Sequence, residues 1–318
     1  MLDSQRIPIG ISQCLLGSPV RFNGGHKHSR LCTVQLGDCF ELVPFCPEVS
    51  IGLGTPREPI RLVGDPSQPR VVGSKTSSLD VTDELRSYGR KVANEQTQLC
   101  GFILMQKSPS CGMERVKVYQ ANGYPAQGTA AGAFAAELMR QRPLLPVEEE
   151  GRLHDPVLRE NFVTRVMVYA AWQQLQFEGL SAESLLAFHA RHKYLLLAHH
   201  PEHYQRMGRL LANLSAVDLP HIAETYFELL MVALKKVANR GTHSNVLAHI
   251  AGHFKRVLSS DERQELDTLI ADYRQGQVPL VVPLTLLKHH LMKHPDDYLH
   301  QQAYLQPHPP GLSLRNAI

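Results

Sequence analysis

Three cysteines of the sequence each follow a short apolar run. Cys14 follows IPIGIS, Cys46 follows FELVPF, and Cys111 comes a few residues after GFILMQ. Short runs that are rich in branched or aromatic residues are typical of strands buried on both faces, as in a parallel sheet. Because ligands bind at the carboxyl ends of parallel strands, we predict that the three thiols meet at one edge of a sheet.

The spacing and the donor atoms indicate which metal such a site would take. The three cysteines are too far apart in the sequence for a zinc-ribbon or ferredoxin pattern, because both patterns need closely spaced pairs. Three thiolates suit an iron–sulfur cluster that lacks the usual fourth cysteine and leaves one iron open as a Lewis acid. Ordinary buried thiols fit the same positions. Buried thiols are also what we predict for Cys32, Cys39 and Cys100.

Polar side chains lie close to two of these cysteines in the sequence. Glu48 comes two residues after the second cysteine, and Lys107, Ser108 and Ser110 precede the third. A carboxylate near a metal moves protons and a hydroxyl positions water, so Glu48 and Ser108 are the candidate catalytic residues. A solvated glutamate and a Ser-Pro turn explain the same pattern. Cations in loop-like segments are candidates for holding a phosphate or carbonyl of the substrate, namely Arg21, Arg57, Arg61 and Lys107.

The apolar runs alternate with helical patterns in the first half of the chain. Residues 78–95 and 129–141 have helical periodicity, and the first of these segments begins with acidic residues. Strands that alternate with helices predict an α/β domain with a mainly parallel sheet, which we place at residues 1–145. Residues 142–151 combine prolines with an acidic triplet, a composition that predicts a domain boundary.

The second half, residues 155–318, is predicted to be an all-α, histidine-rich domain. Its segments carry apolar residues at spacings of three and four. Ser259 stands three residues before Glu262, a capping-box pattern that predicts the start of a helix. Gly241 is predicted to end a helix, and residues 306–318 are predicted to form an irregular tail.

Composition and charge exclude some classes of protein. The 43% of hydrophobic residues exclude a wholly disordered chain, and the net charge of +3 excludes a histone-like mode of nucleic-acid binding but not local basic patches. No apolar stretch is long enough to span a membrane, and the start Met1-Leu2-Asp3 lacks the pattern of a secretory leader. We therefore expect a cytoplasmic protein, in which six cysteines serve as buried thiols, metal ligands or catalytic groups rather than disulfides.

The motifs SQCLLGSPVRFNGG, PFCPEVSIGLGTPREPIRL and QKSPSCG occur in this order, and with them residues 7–140 resemble the 2-thiouracil desulfurase family. The resemblance implies a [4Fe-4S] cluster with three protein ligands, which fall on Cys14, Cys46 and Cys111. The acidic residue of the CPE motif and the first serine of the SPSC motif, which handle substrate and protons in the family, fall on Glu48 and Ser108. One position departs from the family: the segment after the first cysteine often reads Arg-Tyr-Asp-Gly, and here Asn23 replaces the acid.

From about residue 155 the chain resembles a helical domain of unknown function that occurs fused to desulfurase domains. The fused arrangement implies an RNA 4-thiouridine desulfidase, which converts a thiolated uridine of tRNA to uridine. The implied reaction uses the cluster as Lewis acid and sulfur acceptor and needs no net electron transfer. The implied partners are thiolated tRNA and the iron–sulfur assembly machinery, and no membrane is expected.

Basic side chains of the second half are candidates for contacts with an RNA backbone. They lie in three clusters, at 191–194, 235–240 and 253–256, and the candidate contact residues are Lys193, Lys235, Lys236 and Arg256. Surface helices commonly carry such charges without binding nucleic acid. Histidine pairs at helical spacing, His199 with His203 and His290 with His294, are predicted to be partly buried or RNA-facing rather than metal ligands. Trp172 is predicted to lie in the core.

Two other functions fit the same residues. One is the same chemistry on free thiouracil-type bases, with the helical domain serving regulation or assembly. The other is a non-enzymatic thiol or metal sensor that binds nucleic acid, which predicts zinc or no metal and no release of sulfide. Comparing turnover of thiolated tRNA with turnover of a free thiobase separates the first two functions.

Overall fold

A computed structural model of the protein describes residues 6–212, 214, 219–312, 314–316 and 318. The chain divides into two compact units, Met1–His154 and Asp155–Ile318. Residues 1–5, on which the expectation about a leader depends, lie outside the described residues. Among the described helices, none has the length and the apolar character needed to cross a bilayer.

The strands of unit 1 form two sheets, A and B, which differ in the directions of their strands. In chain order they are β1 (Ile7–Ser12), β2 (Phe40–Phe45), β3 (Ile60–Val63), β4 (Arg70–Gly73), β5 (Phe102–Leu104), β6 (Val116–Tyr119), β7 (Pro125–Ala130) and β8 (Val147–Glu149). Sheet A has the order β2-β1-β5-β8, and its neighbouring strands are parallel. The α/β class with a mainly parallel sheet is therefore confirmed. Burial on both faces explains the unbroken apolar runs of β1 and β5.

Sheet B has the order β4-β3-β6-β7, and the sequence did not predict it. Its outer pairs β3–β4 and β6–β7 are antiparallel, whereas β3 and β6 are parallel. The side chains of Leu62, Val71, Val116 and Val118 form the core on which this sheet packs. β3, β4 and β6 are four residues long and β7 contains proline and glycine, so their sequences give weak strand signals.

The α-helices of unit 1 are α1 (Pro47–Ser50), α2 (Thr82–Glu95) and α3 (Ala133–Gln141), and a π-helix, Leu31–Leu36, lies between β1 and β2. Acidic residues occupy the first turn of α2, as predicted, and α2 packs against α3. Both longer helices begin four residues later than predicted. For α3 the reason is that residues 125–130 belong to β7 of sheet B.

Unit 2 is mostly helical, which confirms the predicted class. Its helices are α4 (Pro156–Glu178), α5 (Ala182–His199), α6 (Pro201–Ala212), α7 (Leu219–Lys235), α8 (Arg240–Ala251), α9 (Ser260–Gln275), α10 (Val281–Lys293) and α11 (Asp297–His300). The capping box at the start of α9 is confirmed, because the Ser259 hydroxyl accepts a hydrogen bond from the Glu262 N–H. The prediction for Gly241 is wrong. Asn239 caps the start of α8, so Gly241 lies in the first turn of a helix rather than after its end.

The core of unit 2 contains Trp172 and reaches the end of the chain. Trp172 is 2% exposed and stacks on Phe227 at a centroid distance of 4.7 Å, which confirms its predicted place in the core.

The predicted tail contains the short 3-10 turns Pro310–Leu312 and Leu314–Asn316. Within it Arg315 is buried and donates a hydrogen bond of 3.2 Å to Oε1 of Glu160 in α4. The tail is therefore packed against its own unit, while residues 313 and 317 lie outside the described residues.

Candidate functional site

The three predicted cysteines lie around one cavity at the carboxyl edge of sheet A. Cys14 is in the 3-10 turn Gln13–Leu16 after β1, Cys46 precedes α1 after β2, and Cys111 is in the loop after β5. Because β1 lies between β2 and β5 and all run parallel, their ends face the same way. The cavity has a volume of about 410 Å³, and all three cysteines line it. That volume falls within the range for small-molecule sites.

The thiols of this cavity are held in their protonated form by burial. Burial raises the pKa of Cys111 to about 12, and the nearby Glu48 carboxylate acts in the same direction. Burial also raises the pKa of Cys14, where Arg21 opposes the shift and Cys46 and Glu48 add to it, and it raises the pKa of Cys46. A metal that binds these sulfurs must therefore displace their protons.

The donor set of the cavity, three cysteine sulfurs, is one that an iron–sulfur cluster takes. Across the described residues, no three His, Cys, Asp or Glu side chains are grouped closely enough to hold one metal ion. The sulfurs of Cys14, Cys46 and Cys111 nevertheless share one cavity, and the charge on Cys14 is coupled to both Cys46 and Cys111. Ligands of an iron–sulfur cluster bind separate iron atoms and so stand farther apart than the ligands of one ion.

Glu48 is held by two partners from other parts of unit 1. Ser110 donates a hydrogen bond of 2.5 Å to its Oε1, and Arg57 donates from Nη2 to its Oε2. The side chain of Arg57 is 5% exposed and that of Glu48 is 16% exposed, so this ion pair is largely shielded from water. Arg57 also donates to the carbonyls of Val20, at 2.9 Å, and Gly54, at 2.7 Å. These bonds fix the carboxylate at the wall of the cavity.

The loop before Cys111 carries two linked serines. The hydroxyl oxygens of Ser108 and Ser110 are 2.9 Å apart, and Ser108 also accepts a hydrogen bond of 3.1 Å from the Cys111 N–H. The Ser110 hydroxyl lies 3.7 Å from the Cys111 sulfur. The chain from Glu48 through Ser110 to Ser108 therefore connects both candidate catalytic residues. The sequence singles out Ser110 as a polar neighbour of Cys111 but assigns the catalytic role to Ser108, so the bridging position of Ser110 is new.

The start of α3 positions this serine loop. The N–H of Ala133 donates to the Pro109 carbonyl at 3.0 Å, and the N–H of Ala135 donates to the Ser110 carbonyl at 3.1 Å. Gly132 lies so close to the loop that an added Cβ would be 2.5 Å from the carbonyl carbon of Ser110 and 2.8 Å from the backbone carbonyl oxygen of Ser108. Only glycine permits this approach.

The predicted cations of unit 1 differ in their surroundings. Arg21, Arg57 and Lys107 line the cavity, together with Lys27, which the sequence did not single out. Arg57 forms an ion pair with Glu48. Lys107 is exposed, and its backbone has a φ of 57°, a left-handed conformation that is uncommon outside glycine. Arg61 lies over the Tyr119 ring at 5.6 Å and is not part of the cavity wall.

The predicted RNA contacts of unit 2 lie at different places on its helices. Lys235, Lys236 and Arg256 are exposed, and Lys193 is partly exposed. Lys193 lies near the Tyr194 ring in α5, Lys235 and Lys236 lie at and just after the end of α7, and Arg256 follows the 3-10 turn Gly252–Phe254.

The histidines of unit 2 that occur in pairs at helical spacing differ in their burial and their partners. His199 Nδ1 and His203 Nδ1 lie 2.7 Å and 3.1 Å from the carbonyl oxygens of Lys236 and Leu229, and His290 is 2% exposed. Partial burial thus describes His203 and His294, whereas His199 and His290 are fully buried.

Comparison with known families matches both units. A model of the family described as 2-thiouracil desulfurase matches residues 9–150, and a model of a family of unknown function, DUF1722, matches residues 193–309. Both resemblances predicted from the sequence are thereby confirmed.

Individual relatives cover different shares of the chain. The uncharacterized protein YbgA of Escherichia coli K12 is 33% identical over 159 residues, which are 50% of this chain and 94% of YbgA. The uncharacterized protein YbbK of Bacillus subtilis 168 is 30% identical over 128 residues, which are 38% of this chain and 78% of YbbK. Among solved structures, the [4Fe-4S]-dependent thiouracil desulfidase TudS is 30% identical with a TM-score of 0.38, and the match covers 50% of this chain and 100% of TudS.

Proposed function

We propose, on the premise that the chain belongs to the 2-thiouracil desulfurase family, that it is a [4Fe-4S]-dependent desulfidase that converts 4-thiouridine in tRNA to uridine and releases sulfide. The observation that carries the proposal is the cavity of unit 1, where three thiols, a carboxylate and two linked serines meet. The name of the relative TudS supports the cofactor and the class of reaction.

Cys14, Cys46 and Cys111 are the residues that would hold the cluster, each through its sulfur. When bound, a cluster with three protein ligands would supply Lewis-acid chemistry suited to a soft thiocarbonyl sulfur. Burial raises the pKa of all three thiols, so their sulfurs would have to lose protons on binding.

Glu48 is the general base and acid of the proposed reaction. Its carboxylate takes a proton from the water that attacks the thiocarbonyl carbon, and it later returns that proton to the departing sulfur. Water supplies one oxygen and two protons, the carbon–sulfur bond breaks, and a carbonyl and hydrogen sulfide are formed. The electrons balance without an external donor. Ser110 and Arg57 keep the carboxylate in one orientation during both proton transfers.

Ser108 orients the water or the departing sulfur. Its oxygen accepts hydrogen bonds from the backbone N–H groups of Ser110 and Cys111. Its own proton is therefore available to Ser110 or to an acceptor in the cavity. A hydroxyl fixed in this way places a donor at the reacting atom without a rotational cost at the moment of reaction.

The charge of the cavity wall favours a substrate that carries phosphate. Arg21, Lys27 and Lys107 all line the cavity. An RNA backbone supplies negative charge to these cations, whereas a free thiobase does not. Free thiouracil is the second candidate substrate, and the name of TudS, a thiouracil desulfidase, is the observation that favours it.

The test compares both substrates with the same full-length protein, reconstituted with iron and sulfide without oxygen. Sulfide release and uridine formation are measured on tRNA that carries 4-thiouridine and on free 4-thiouracil, with and without an added electron donor. We expect kcat/KM to be at least about 10-fold higher for tRNA, a difference of about 1.4 kcal/mol, and to be independent of the donor.

The other outcomes point to the other functions. A higher kcat/KM for free 4-thiouracil identifies the second candidate substrate. Bound zinc with no sulfide release from either substrate contradicts an enzyme and indicates the sensor. A strict need for the electron donor contradicts the hydrolytic reaction.

A further inference from the structure

Two of the basic clusters of unit 2 meet on one surface. Tyr194 of α5 and His253 of the turn Gly252–Phe254 are far apart in the sequence, yet Tyr194 OH and His253 Nε2 are 3.0 Å apart. Tyr298 of α11 stacks on His253 with ring centroids 5.7 Å apart and an interplanar angle of 12°. The ammonium of Lys193 lies 5.8 Å from the Tyr194 ring centroid and 5.9 Å from that of Tyr298. We name Lys193, Tyr194, His253 and Tyr298 the aromatic patch.

The aromatic patch is open to solvent at its rings. The side chain of His253 is 31% exposed, and Lys193 and Tyr298 are partly exposed. Tyr194 is 5% exposed and forms the floor, where it packs edge-on against Tyr298 at a centroid distance of 6.2 Å. The stacked pair of His253 and Tyr298 is thus held from below and offers ring surface to a ligand.

The charge around the aromatic patch is positive on balance. Arg191, Lys255 and Arg256 are exposed and lie within three residues of a patch residue in the sequence. The acids of this region are Asp296 and Asp297, and Asp296 is already engaged. Its carboxylate caps α11 through the Leu299 N–H at 2.9 Å and lies 3.3 Å from His253 Nδ1. A negatively charged partner therefore meets more cations than acids.

We propose that the aromatic patch binds a single-stranded stretch of RNA, with a base stacked on His253 and Tyr298 and the flanking phosphates held by Lys193 and Arg256. Exposed rings beside cations match the alternation of flat base and charged phosphate in an unpaired strand. An acidic protein segment would pair its carboxylates with the cations but would have no base to stack on the rings. The inference rests on the proposed function, because a tRNA substrate needs a docking surface besides the reacting base.

The test measures binding of a fluorescein-labelled oligouridylate to the full-length protein by anisotropy at two salt concentrations. Tyr298→Leu keeps apolar volume but removes the ring, and we expect it to raise Kd about 10-fold. Tyr298→Phe keeps the ring and should bind like the unchanged protein. The double variant Lys193→Gln with Arg256→Gln should lower the slope of log Kd against log salt by about 1.4, because two phosphate contacts to a single strand are lost.

The matched control removes two arginines elsewhere on unit 2. Arg263→Gln with Arg274→Gln in α9 removes two positive charges, as the double patch variant does, from exposed positions, and we expect its Kd to stay within about 2-fold of the unchanged protein. Fluorescence of Trp172, the single tryptophan, reports the folding of unit 2 in every variant. A variant that binds weakly but unfolds at the unchanged urea midpoint supports a role in binding rather than in folding.

Three outcomes would overturn the inference. One is unchanged Kd in Tyr298→Leu, the second is equal binding of an RNA duplex of the same length, and the third is a larger loss in the arginine control of α9 than in the patch variants. If the unchanged protein binds and desulfurates thiolated tRNA in these cases, the proposed function stands and only the aromatic patch is wrong. If the unchanged protein binds no RNA at all, the tRNA substrate is wrong as well.

Discussion

Ser110 donates a 2.5 Å hydrogen bond to Oε1 of Glu48, and this bond joins the loop after β5 to the turn after β2. The same hydroxyl lies 2.9 Å from the oxygen of Ser108 and 3.7 Å from the sulfur of Cys111. One side chain thus touches the proposed base, the proposed water-orienting serine and a proposed cluster ligand.

Ser110→Ala should lower kcat about 10-fold to 100-fold, because it frees one side of the Glu48 carboxylate and breaks its link to Ser108. KM should change little, since the substrate gains or loses no direct contact. The measurement is steady-state sulfide release, normalised to the iron bound per chain. Ser110→Thr keeps the hydroxyl and should retain most of the rate. An unchanged kcat in the alanine variant would show that Glu48 works without this bond.

Replacing any one of Cys14, Cys46 and Cys111 by alanine should abolish the stable four-iron cluster, because each supplies a separate ligand. Iron, sulfide and visible absorption are measured after reconstitution without oxygen. Cys100→Ala is the matched control. Cys100 is 3% exposed and burial raises its pKa to about 12, as for Cys111, but it donates to the Gln98 carbonyl away from the cavity. If the control loses as much iron as the three variants, the ligand assignment is wrong.

Gly132→Ala should reduce both cluster content and kcat, because the new Cβ would collide with the backbone of Ser108 and Ser110 and shift the loop before Cys111. The expected loss of stability is about 1–3 kcal/mol, read from urea unfolding. Gly208→Ala in α6 is the control, since open space surrounds that position. It should leave the cluster intact and stabilise its helix by roughly 0.5–1 kcal/mol. Equal effects of both variants would contradict a special role for Gly132.

Unit 2 should lose stability in mild acid because it buries neutral histidines. Burial lowers the pKa of His192 to about 4 from 6.5, and burial also lowers the pKa of His199 and of His243. In mild acid these histidines are therefore protonated in the unfolded chain but remain neutral in the folded unit. Stability is complete above pH 6.5 and falls as the pH drops toward 4. His192 alone accounts for about 2 kcal/mol between about pH 7.5 and pH 5.

The measurement for this pH dependence is urea unfolding followed by the fluorescence of Trp172. His192→Leu should flatten the dependence of the unfolding free energy on pH, even though it loses the hydrogen bond to the Phe188 carbonyl at 2.8 Å. His154→Leu in unit 1 is the control, because the His154 side chain is 63% exposed. A slope that is the same in His192→Leu and in the unchanged protein would contradict the account.

The parts of the fold that the sequence predicted are those with strong local patterns. β1 and β2 have the bounds of their apolar runs, and the capping box before α9 is formed as its spacing indicates. Sheet B was missed because its strands are short and partly polar, so their identity depends on pairing with distant strands. Gly241 was misjudged because glycine is compatible with either end of a helix, and Asn239 decides between them.

The sequence predicted those residues of the candidate site that directly follow a strand or lie beside one of the three cysteines in the chain. Three cysteines at strand ends, with Glu48 and Ser108 beside them, follow from the sequence and line one cavity. The pairing of Arg57 with Glu48 and the bridging position of Ser110 were not predictable, because they depend on how separate loops fold over the edge of sheet A. The sequence predicts Arg57 as a substrate contact, and that role stays a prediction. The structure adds its pairing with Glu48.

The placement of the cysteines after β1, β2 and β5 has a consequence for maturation of the protein. In an unfolded chain the three sulfurs are separated by long loops, whose closure costs entropy before any iron is bound. Pairing of the strands in sheet A removes that cost, since it brings the three turns to the same edge. We therefore expect iron and sulfide for the proposed cluster to be delivered to a domain that has already folded, so that the domain keeps its fold when the cluster is lost and can bind a new one.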